Sequence, residues 1–407
     1  MKKYRDKNVL EAAQERIGIV FDNFEKVVLS FSGGKDSTVM FHLVADEARK
    51  RNRRFAVMAI DFEAQYKLTA ENMAAMFKEY SDVVDPYWIC LPMHLRNGAS
   101  NFEPWWICWD KDKKDSWVRE MPEGAISDES FFPFFHKGME FEEFIVLFAD
   151  WYAAGKNTAV FVGIRADESL NRYRTVASPV FLRNKEMFAN HPWTTKVTDH
   201  AYNAYPIYDW RVSDIWTYHR KFPEKSHNKI YDLMHQAGVT PSQQRLCQPY
   251  GDDQRRGLWL YHLIEPETWY KVVARVSGAN SMALYVEETG NVTGYNKIAV
   301  PKGHTFKSFC HLLLTTLPKK SRDHFLDRFR VFIRGWRRRG YDKDIPDFAP
   351  EVLENAHWAP SYRRLCKVLL RNDYWCKGLG LTQPMSDAYG KYMEIKKAKK
   401  AELAEAE

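Results

Sequence analysis

The chain has 407 residues, a formal net charge of +7 at pH 7 and six scattered cysteines. Its apolar share of 45% and charged share of 28% are those of a globular protein, which excludes a disordered or low-complexity chain. No stretch reaches the ~18 consecutive apolar residues of a membrane span, and the first residues lack the apolar segment of a secretion signal. We therefore expect a cytoplasmic protein with reduced thiols and no membrane contact.

Residues 8–92 alternate between amphipathic helices and apolar strands. The spacing predicts helices over 8–24, 37–51 and 68–80, and strands over 26–31, 54–63 and 82–92. Apolar strands that alternate with helices are typical of a parallel sheet with helices on both faces. Sheets of this kind bind ligands at the carboxyl ends of their strands, so those ends are where we expect a site.

Residues 93–140 interrupt this alternation with an aromatic-rich insertion, which is too long for a simple connection. It is a lid, a partner surface or a packed subdomain. A helix over 142–155 and a strand over 158–164 then resume the pattern. Beyond these elements the sequence becomes aromatic, basic and helical in its periodicity. We predict an α/β domain over 1–265, with a parallel sheet of the five-stranded type, and a mostly helical domain over 266–407.

The loop after the first strand has the composition of an anion-binding site. It reads Ser-Gly-Gly-Lys-Asp-Ser over 32–37 and leads from a buried strand into a helix. Glycines let successive backbone N–H groups turn toward one point, and a helix N-terminus adds donors and partial positive charge. Lys35 adds a full charge, and the hydroxyls of Ser32, Ser37 and Thr38 add donors. The spacing differs from a Walker A loop, because an aspartate follows the lysine.

These six residues, after an apolar strand and before a helix, resemble the PP-loop of the ATP-pyrophosphatase superfamily. Its members include phosphoadenosine-phosphosulfate (PAPS) reductases, the small subunit of ATP sulfurylase and the DNA-phosphorothioation sulfur-transfer proteins. The resemblance implies an adenine nucleotide alpha hydrolase-like fold. It also implies adenosine at the sheet edge and a pyrophosphate or phosphosulfate group on the loop. Asp36 then either holds Mg²⁺ through the phosphates or fixes the loop.

A second block, VGIRADESLNRYR, resembles the Gly-[IA]-Arg-x-x-Glu-Ser-x-x-Arg segment of the same superfamily, with Gly163 through Arg172 matching. Arg165 and Arg172 offer forked donors for phosphate or sulfate oxygens. Glu168 orients an arginine or takes part in metal binding. Further matches, YPIYDWRVSDIW and the segment IYDLMHQAGVTPSQQRLCQPYGDDQRRG, extend the resemblance over roughly 20–260.

The resemblance implies one nucleotide site formed by these blocks. The predicted catalytic residues are Lys35, Asp36, Arg165, Glu168 and Arg172. The predicted nucleotide-binding residues are Ser30, Ser32, Gly33, Gly34, Lys35, Asp36, Ser37, Thr38, Asp61, Gly163, Arg165 and Arg245. Asp36 is also the predicted Mg²⁺ ligand, acting through the phosphates of ATP or a sulfonucleotide. Arg255 and Arg256 either extend the anion site or form a solvated basic face.

The sequence departs from PAPS reductases where their chemistry lies. It has no Glu-Cys-Gly-x-His element, and the nearest segment, YWCKGLG around Cys376, lacks both the acid and the histidine. A single neighbouring cation, Lys377, offers little stabilisation to a thiolate at Cys376. The chain has no Cys-Cys or Cys-x-x-Cys pair, so we expect no iron–sulfur cluster. Simple reductase activity is therefore disfavoured.

Residues 319–343 form the most charged segment, with ten Lys or Arg and three acidic residues. Phe325, Phe329, Phe332 and Trp336 recur at helical spacing, which predicts a basic amphipathic helix. Such a helix docks on the catalytic domain and leaves a solvated face, binds nucleic-acid phosphates, or binds an acidic protein.

A PP-loop domain without reductase cysteines, followed by this region, most resembles the immunoglobulin-binding-regulator A (DUF3440) family. These are phage- and plasmid-associated co-activators encoded beside a ParB-like partner. Three hypotheses follow. The chain is an ATP α–β pyrophosphatase that transfers adenylate, a sulfonucleotide enzyme that uses an external thiol, or a nucleotide-sensing co-activator without turnover that works with a ParB-like partner.

Overall fold

The computed structural model describes residues 6–176, 186–252, 257–280, 298 and 300–383. These residues divide into two compact units. The first unit comprises the described residues of Met1–Met93, Cys108–Gln248 and Leu260–Thr268, and the second those of His94–Ile107, Pro249–Trp259 and Trp269–Glu407. The second unit thus takes short segments from the first two-thirds of the chain. The domain border at 265/266 stays a prediction.

The elements follow in chain order. The strands are β1 (Lys26–Ser30), β2 (Phe55–Ile60), β3 (Val84–Ile89), β4 (His94–Arg96), β5 (Trp105–Ile107), β6 (Thr158–Val162), β7 (Thr194–Lys196) and β8 (Ala201–Ala204). The helices are α1 (Val9–Asn23), α2 (Lys35–Lys50), α3 (Lys67–Glu79), α4 (Phe141–Ala153), α5 (Leu170–Val176), α6 (Val212–Lys221), α7 (Ile230–Gln236), α8 (Trp259–Ile264), α9 (Pro266–Arg275), α10 (Phe306–Thr316), α11 (Lys319–Arg338), α12 (Glu351–Asn355) and α13 (Tyr362–Leu370). Short 3₁₀ turns lie at Lys111–Ser116, Phe188–Asn190 and Lys377–Leu379.

The sheet of the first unit has the strand order β3-β2-β1-β6-β8-β7. All neighbouring pairs are parallel except β7 and β8, which are antiparallel. The chain runs outward from β1 through β2 to β3 and then returns to β6 on the other side of β1. The carboxyl ends of β1 and β6 therefore flank a topological switch point, where open α/β sheets bind their ligands. The predicted α/β class is confirmed, and the antiparallel edge strand β7 adds to it.

The second unit is helical around one apolar core, with β4 and β5 as an antiparallel pair. Helix α11 contributes the buried side chains of Phe325, Phe329, Phe332 and Trp336 to this core, where they meet buried residues of α10 and α13. The structure thus contains the basic amphipathic helix that the spacing predicts, and its apolar face is covered inside the second unit. Among the described residues, no helix is both long and apolar enough to cross a membrane.

His42 is the most deeply buried titratable group on α2. Its Nδ1 lies 2.7 Å from the Tyr80 hydroxyl and its Nε2 lies 2.7 Å from the Ser226 carbonyl oxygen. Burial lowers the pKa of His42 from 6.5 to about 4, against the Ser226 hydrogen bond, which favours the charged ring. Burial also lowers the pKa of His219 to about 4. These histidines are protonated at a higher pH in the unfolded chain than in the folded protein. The free energy of unfolding therefore falls as pH falls below 6.5.

We expect the free energy of unfolding to fall between pH 6.5 and pH 4 by up to about 1.4 kcal/mol per pH unit for each buried histidine. His42→Gln removes one titrating ring, so it should be less stable than wild type at neutral pH but should lose less on acidification. Urea unfolding across this pH range measures both quantities. His200→Gln, at an exposed position, is the control and should keep the wild-type slope. An unchanged slope in His42→Gln would contradict the assignment.

Candidate functional site

The loop between β1 and α2 lies at the switch point of the sheet. Strand β1 is buried through Val27, Val28 and Leu29, because it pairs with β2 on one side and β6 on the other. Its last residue, Ser30, pairs in register with Met58 and Val162. The chain then turns over four residues, and Gly34 caps α2 with extended backbone angles and no side-chain cap. The first N–H groups of α2 are therefore left for other acceptors.

Two glycines of the site lie in close contacts, one with a side chain and one with backbone. Gly33 has φ +69°, and a Cβ on it would lie 2.7 Å from the Cγ2 of Thr69 on α3. Gly163, which follows β6, would place a Cβ 3.2 Å from the backbone N and Cα of Ser37. The loop therefore packs directly against α3 on one side and the exit of β6 on the other, and neither contact leaves free space for a side chain.

The hydroxyl groups of the loop bond mainly to each other. The Ser32 and Ser37 oxygens lie 3.1 Å apart, and the Ser37 hydroxyl donates to the Gly34 carbonyl oxygen over 3.0 Å. Ser32 is exposed, whereas Ser37 is buried. The Thr38 hydroxyl is fully buried and has no hydrogen-bond partner among the described residues. Ser32 therefore carries the most accessible hydroxyl of the loop.

Lys35 is buried and makes its contacts inside the protein. Its ammonium group donates to the Gln244 carbonyl oxygen over 2.8 Å and lies 3.7 Å from Asp36 Oδ2. It also lies 5.3 Å from the centre of the Tyr231 ring. Burial lowers the pKa of Lys35, while the Asp36 carboxylate acts in the opposite direction. An anion bound here would favour the charged lysine for the same electrostatic reason.

Asp36 joins the loop to the second predicted block. Its carboxylate accepts a hydrogen bond from Nε of Arg165, a residue that is only 3% exposed, and Arg165 also pairs with Asp167. The Glu168 carboxylate accepts the Arg165 backbone N–H over 3.4 Å. It lies 3.8 Å from Nε of the exposed Arg172. The structure thus places all five predicted catalytic residues in one chain of contacts, which begins at Lys35 and ends at Arg172.

Arg245 reaches the same place from another segment, since its guanidinium donates to the Glu168 carbonyl oxygen over 3.3 Å. Arg172 and Arg245 are exposed, so they lie at the mouth of the site, whereas Lys35 and Arg165 lie inside it. Arg255 and Arg256 fall outside the described residues. The roles of all these residues toward a nucleotide stay predictions.

Asp61 is placed differently from the other predicted residues. Its carboxylate is buried and accepts from the Trp88 indole N–H over 2.9 Å, from the Glu63 backbone N–H over 2.9 Å and from the Arg119 guanidinium. The carboxylate is thus used within the protein, where it ties the end of β2 to Trp88 and Arg119. Its predicted contact with adenosine stays a prediction.

Three residues that sequence reasoning did not assign hold the loop in place. Asn228 donates to the Gly33 carbonyl oxygen and to the Thr69 hydroxyl, both over 3.0 Å. The Tyr231 hydroxyl accepts the Lys35 backbone N–H over 2.9 Å, and Gln244 supplies the carbonyl for the Lys35 ammonium. All three lie in or beside the segment IYDLMHQAGVTPSQQ. Its resemblance to the superfamily was the available signal, but the pattern alone does not say which side chains point to the loop.

The acidic, histidine and cysteine side chains that the structure describes do not assemble a metal site. Among the described residues, no group of three or more His, Cys, Asp or Glu is placed to hold a metal ion. The predicted Mg²⁺ ligand, Asp36, has Arg165 as its hydrogen-bond donor. One carboxylate of this kind fits Mg²⁺ only when the phosphates of a nucleotide supply the other ligands.

Cys376, the nearest match to the reductase nucleophile, is fully buried in the second unit. Burial raises the pKa of its thiol to about 12, with the Asp373 carboxylate adding to the effect. The thiolate is the reactive form, so this cysteine is not suited to attack a substrate. Cys247 is the exposed cysteine of the chain.

The fold and the loop define a PP-loop, PAPS-reductase-like nucleotide-binding domain, and comparisons with known proteins agree. The phosphoadenosine phosphosulfate reductase domain matches residues 26–104, and the domain of unknown function DUF3440 matches residues 238–345. The chain is 40% identical over 398 residues to the Escherichia coli (strain K12) "Uncharacterized protein YbdN", covering 97% of this chain and 96% of that protein. It belongs to the family of that protein. The predicted superfamily and the DUF3440 resemblance are confirmed.

Two solved structures resemble the chain weakly. The PAPS reductase of Candida auris is 14% identical, with a TM-score of 0.30 over 57% of this chain and 93% of that chain. The U34-tRNA thiolase NcsA of Methanococcus maripaludis, solved with its [4Fe-4S] cluster, is 11% identical, with a TM-score of 0.31 over 72% of this chain and 82% of that chain.

The contact between Gly33 and Thr69 predicts a testable pattern of stabilities. Gly33→Ala should destabilise the protein through its left-handed backbone, by about 1–2 kcal/mol, and additionally through the clash with Thr69 Cγ2. Gly138→Ala has the same backbone problem, with φ +82° but no atom within 4 Å, and is the matched control. Urea unfolding measures the difference between the two variants.

Thr69→Ser removes the clashing methyl group and keeps the hydroxyl that Asn228 binds. The double variant Gly33→Ala/Thr69→Ser should therefore recover part of the loss seen in Gly33→Ala. Equal losses for Gly33→Ala and Gly138→Ala, with no recovery in the double variant, would show that the close contact does not constrain the loop.

Proposed function

We propose that the chain binds an adenine nucleotide with its diphosphate or phosphosulfate group on the loop 32–37. We further propose that it cleaves MgATP between the α and β phosphates and transfers the adenylyl group to an acceptor. The observation that carries the proposal is the buried chain of Lys35, Asp36 and Arg165 beneath a glycine turn. Forked and ammonium donors of this kind, beside a helix N-terminus, are what a bound oxyanion requires.

The chemistry asks the protein for positioning and charge stabilisation. An oxygen of the acceptor attacks the α phosphorus, the bond from that phosphorus to the bridging oxygen breaks, and pyrophosphate leaves with the electron pair. The leaving group gains negative charge, which Lys35 and Arg165 are placed to stabilise. Mg²⁺ enters with the nucleotide as part of the substrate. An anionic acceptor such as a sulfate or carboxylate needs no general base.

The contacts of the free site indicate how a nucleotide would enter. A phosphate oxygen would replace the Gln244 carbonyl as acceptor for the Lys35 ammonium, and another would replace the Tyr231 hydroxyl at the Lys35 N–H. Arg172 and Arg245 at the mouth would bind the outer oxygens. If Asp36 is a ligand of the nucleotide's Mg²⁺, as predicted, its carboxylate must bind both Mg²⁺ and Arg165.

Two alternatives remain predictions. In one, a sulfonucleotide is the substrate and an external thiol is the nucleophile. The burial of Cys376 favours an external thiol over the Cys376 thiol in this role. In the other, the chain is a transcriptional co-activator that senses a nucleotide without turnover and works with a ParB-like partner. A phage- or mobile-element-associated regulatory pathway is the predicted setting of the adenylyl-transfer function. A cytoplasmic location and nucleic-acid contact through 319–343 are part of the same set of predictions.

Lys35→Met should weaken nucleotide binding at least tenfold, because one charge-assisted hydrogen bond contributes about 1.5–3 kcal/mol. Isothermal calorimetry with MgATP or its α,β-methylene analogue measures binding, and pyrophosphate release measures cleavage. Lys50→Met changes an exposed lysine at the other end of α2 and should bind as wild type does. If calorimetry detects no binding of any adenine nucleotide to the wild-type protein, the proposal is wrong. Binding without release of pyrophosphate would favour the sensing alternative.

A sulfonucleotide substrate is tested with Cys376→Ser and Cys247→Ser. Sulfite release from PAPS in the presence of an added thiol should be unchanged in Cys376→Ser, because the native thiol is buried with a pKa of about 12. Cys247→Ser separates an external thiol from the exposed cysteine of the chain. Loss of sulfite release in Cys376→Ser, with the fold intact by circular dichroism, would contradict the placement of that residue outside the chemistry.

A further inference from the structure

A cavity of about 120 Å³ lies in the second unit beside the C-terminal end of α11. Its wall is formed by α10, α11, α13 and the chain after α11. Three cationic side chains line it, those of Lys307, Arg337 and Lys343, and one carboxylate, that of Asp344. The aromatic rings of Trp336, Tyr341 and Tyr362 complete most of the wall. The cavity therefore combines an excess of positive charge with aromatic side chains.

The cations of this cavity are not neutralised by ion pairs within the described chain. Arg337 and Lys343 make no ion pair with an acidic residue there, and the Lys307 ammonium lies 5.8 Å from the centre of the Tyr362 ring. Trp336 is buried, and its indole N–H has no acceptor among the described residues. A buried donor without an acceptor costs free energy. The wall thus presents three cationic side chains against one carboxylate, a balance that suits an anionic ligand.

The positive charge continues from the cavity along α11. Arg330, Arg334 and Arg337 are exposed and lie at i, i+4 and i+7, so they share one face of the helix. The opposite, apolar face of α11 is buried in the core, whereas this face is open to solvent, with Arg330 paired to Asp327 over 2.6 Å. A single free anion would use only the cavity, whereas a ligand with repeated phosphates would use the row as well.

We propose that the cavity binds a backbone phosphate of nucleic acid and that the arginine row on α11 binds the phosphates next to it. This proposal deepens the nucleic-acid contact predicted for 319–343 by naming its anchoring site. It does not depend on adenine-nucleotide binding at the loop 32–37. Contacts of this kind position a nucleic acid without reading its sequence, so the affinity should be salt-dependent and largely independent of sequence.

The test is fluorescence anisotropy with labelled single- and double-stranded oligonucleotides and the full chain. Arg337→Gln/Lys343→Gln should weaken binding at least tenfold and reduce the slope of log affinity against log salt by about two. Lys302→Gln/Lys377→Gln removes the same charge from exposed positions of the second unit outside the cavity and should have a much smaller effect. Ile345→Phe fills the cavity without changing charge and should also weaken binding. Lys35→Met should bind as wild type does, which separates this test from that of the loop.

Three outcomes would overturn the proposal. The first is no binding of either oligonucleotide by wild-type protein at low salt. The second is equal weakening by the two double variants with no effect of Ile345→Phe, which would indicate general charge attraction. The third is competition by free pyrophosphate or ATP as strong as that by unlabelled oligonucleotide, which would make the cavity a site for a small anion. Thermal melting of each variant checks that the second unit is folded.

Discussion

The ion pair between Asp36 and Arg165 is the interaction on which the candidate site depends. It joins the first turn of α2 to the chain after β6, two segments 129 residues apart in sequence. A buried carboxylate is costly unless it is paired and hydrogen-bonded, so neither partner tolerates removal of the other. Lys35 lies beside the pair, and its ammonium group is 3.7 Å from the Asp36 carboxylate. Asp36 carries a negative charge that is unfavourable beside a phosphate, but it has a structural role. It holds the cations of Lys35 and Arg165 at the switch point of the sheet without a ligand.

The loop is also held from a third direction by Asn228, Tyr231 and Gln244. Tyr231 and Gln244 place oxygen acceptors on the two donors of Lys35, its N–H and its ammonium. These oxygens keep the donors satisfied and their directions fixed, which lowers the reorganisation needed when a ligand oxygen takes their place. The same contacts set a requirement, since a ligand must bind Lys35 more strongly than two protein oxygens do. A doubly charged phosphate group meets that requirement better than a neutral ligand.

Much of the first unit could be predicted from sequence, because its strands are short apolar runs and its turn contains two adjacent glycines. Helix α2 begins at Lys35 rather than at Ser37, since Gly34 caps it and no side chain marks the start. The partnership of Asp61 with Arg119 could not be predicted, because the two residues are 58 positions apart in the sequence and Arg119 lies in the aromatic-rich segment, whose fold the pattern does not give. The strands β7 and β8 were missed for another reason. They have three and four residues, too few for a period of two to be distinct.

The two candidate anion sites differ in how their cations are compensated. At the loop, Lys35 and Arg165 are buried beside carboxylates, so their field is short-ranged and is little screened by salt. At the cavity beside α11, Arg337 and Lys343 are exposed and lack ion pairs among the described residues, so their field extends into solvent and weakens as salt rises. A site of the first kind suits one small ligand held in a fixed geometry for chemistry. A site of the second kind suits a long polyanion that is attracted from a distance and held by several interchangeable contacts. The charge distribution therefore favours different ligands at the two candidate sites, although phosphate oxygens are the proposed contact at both.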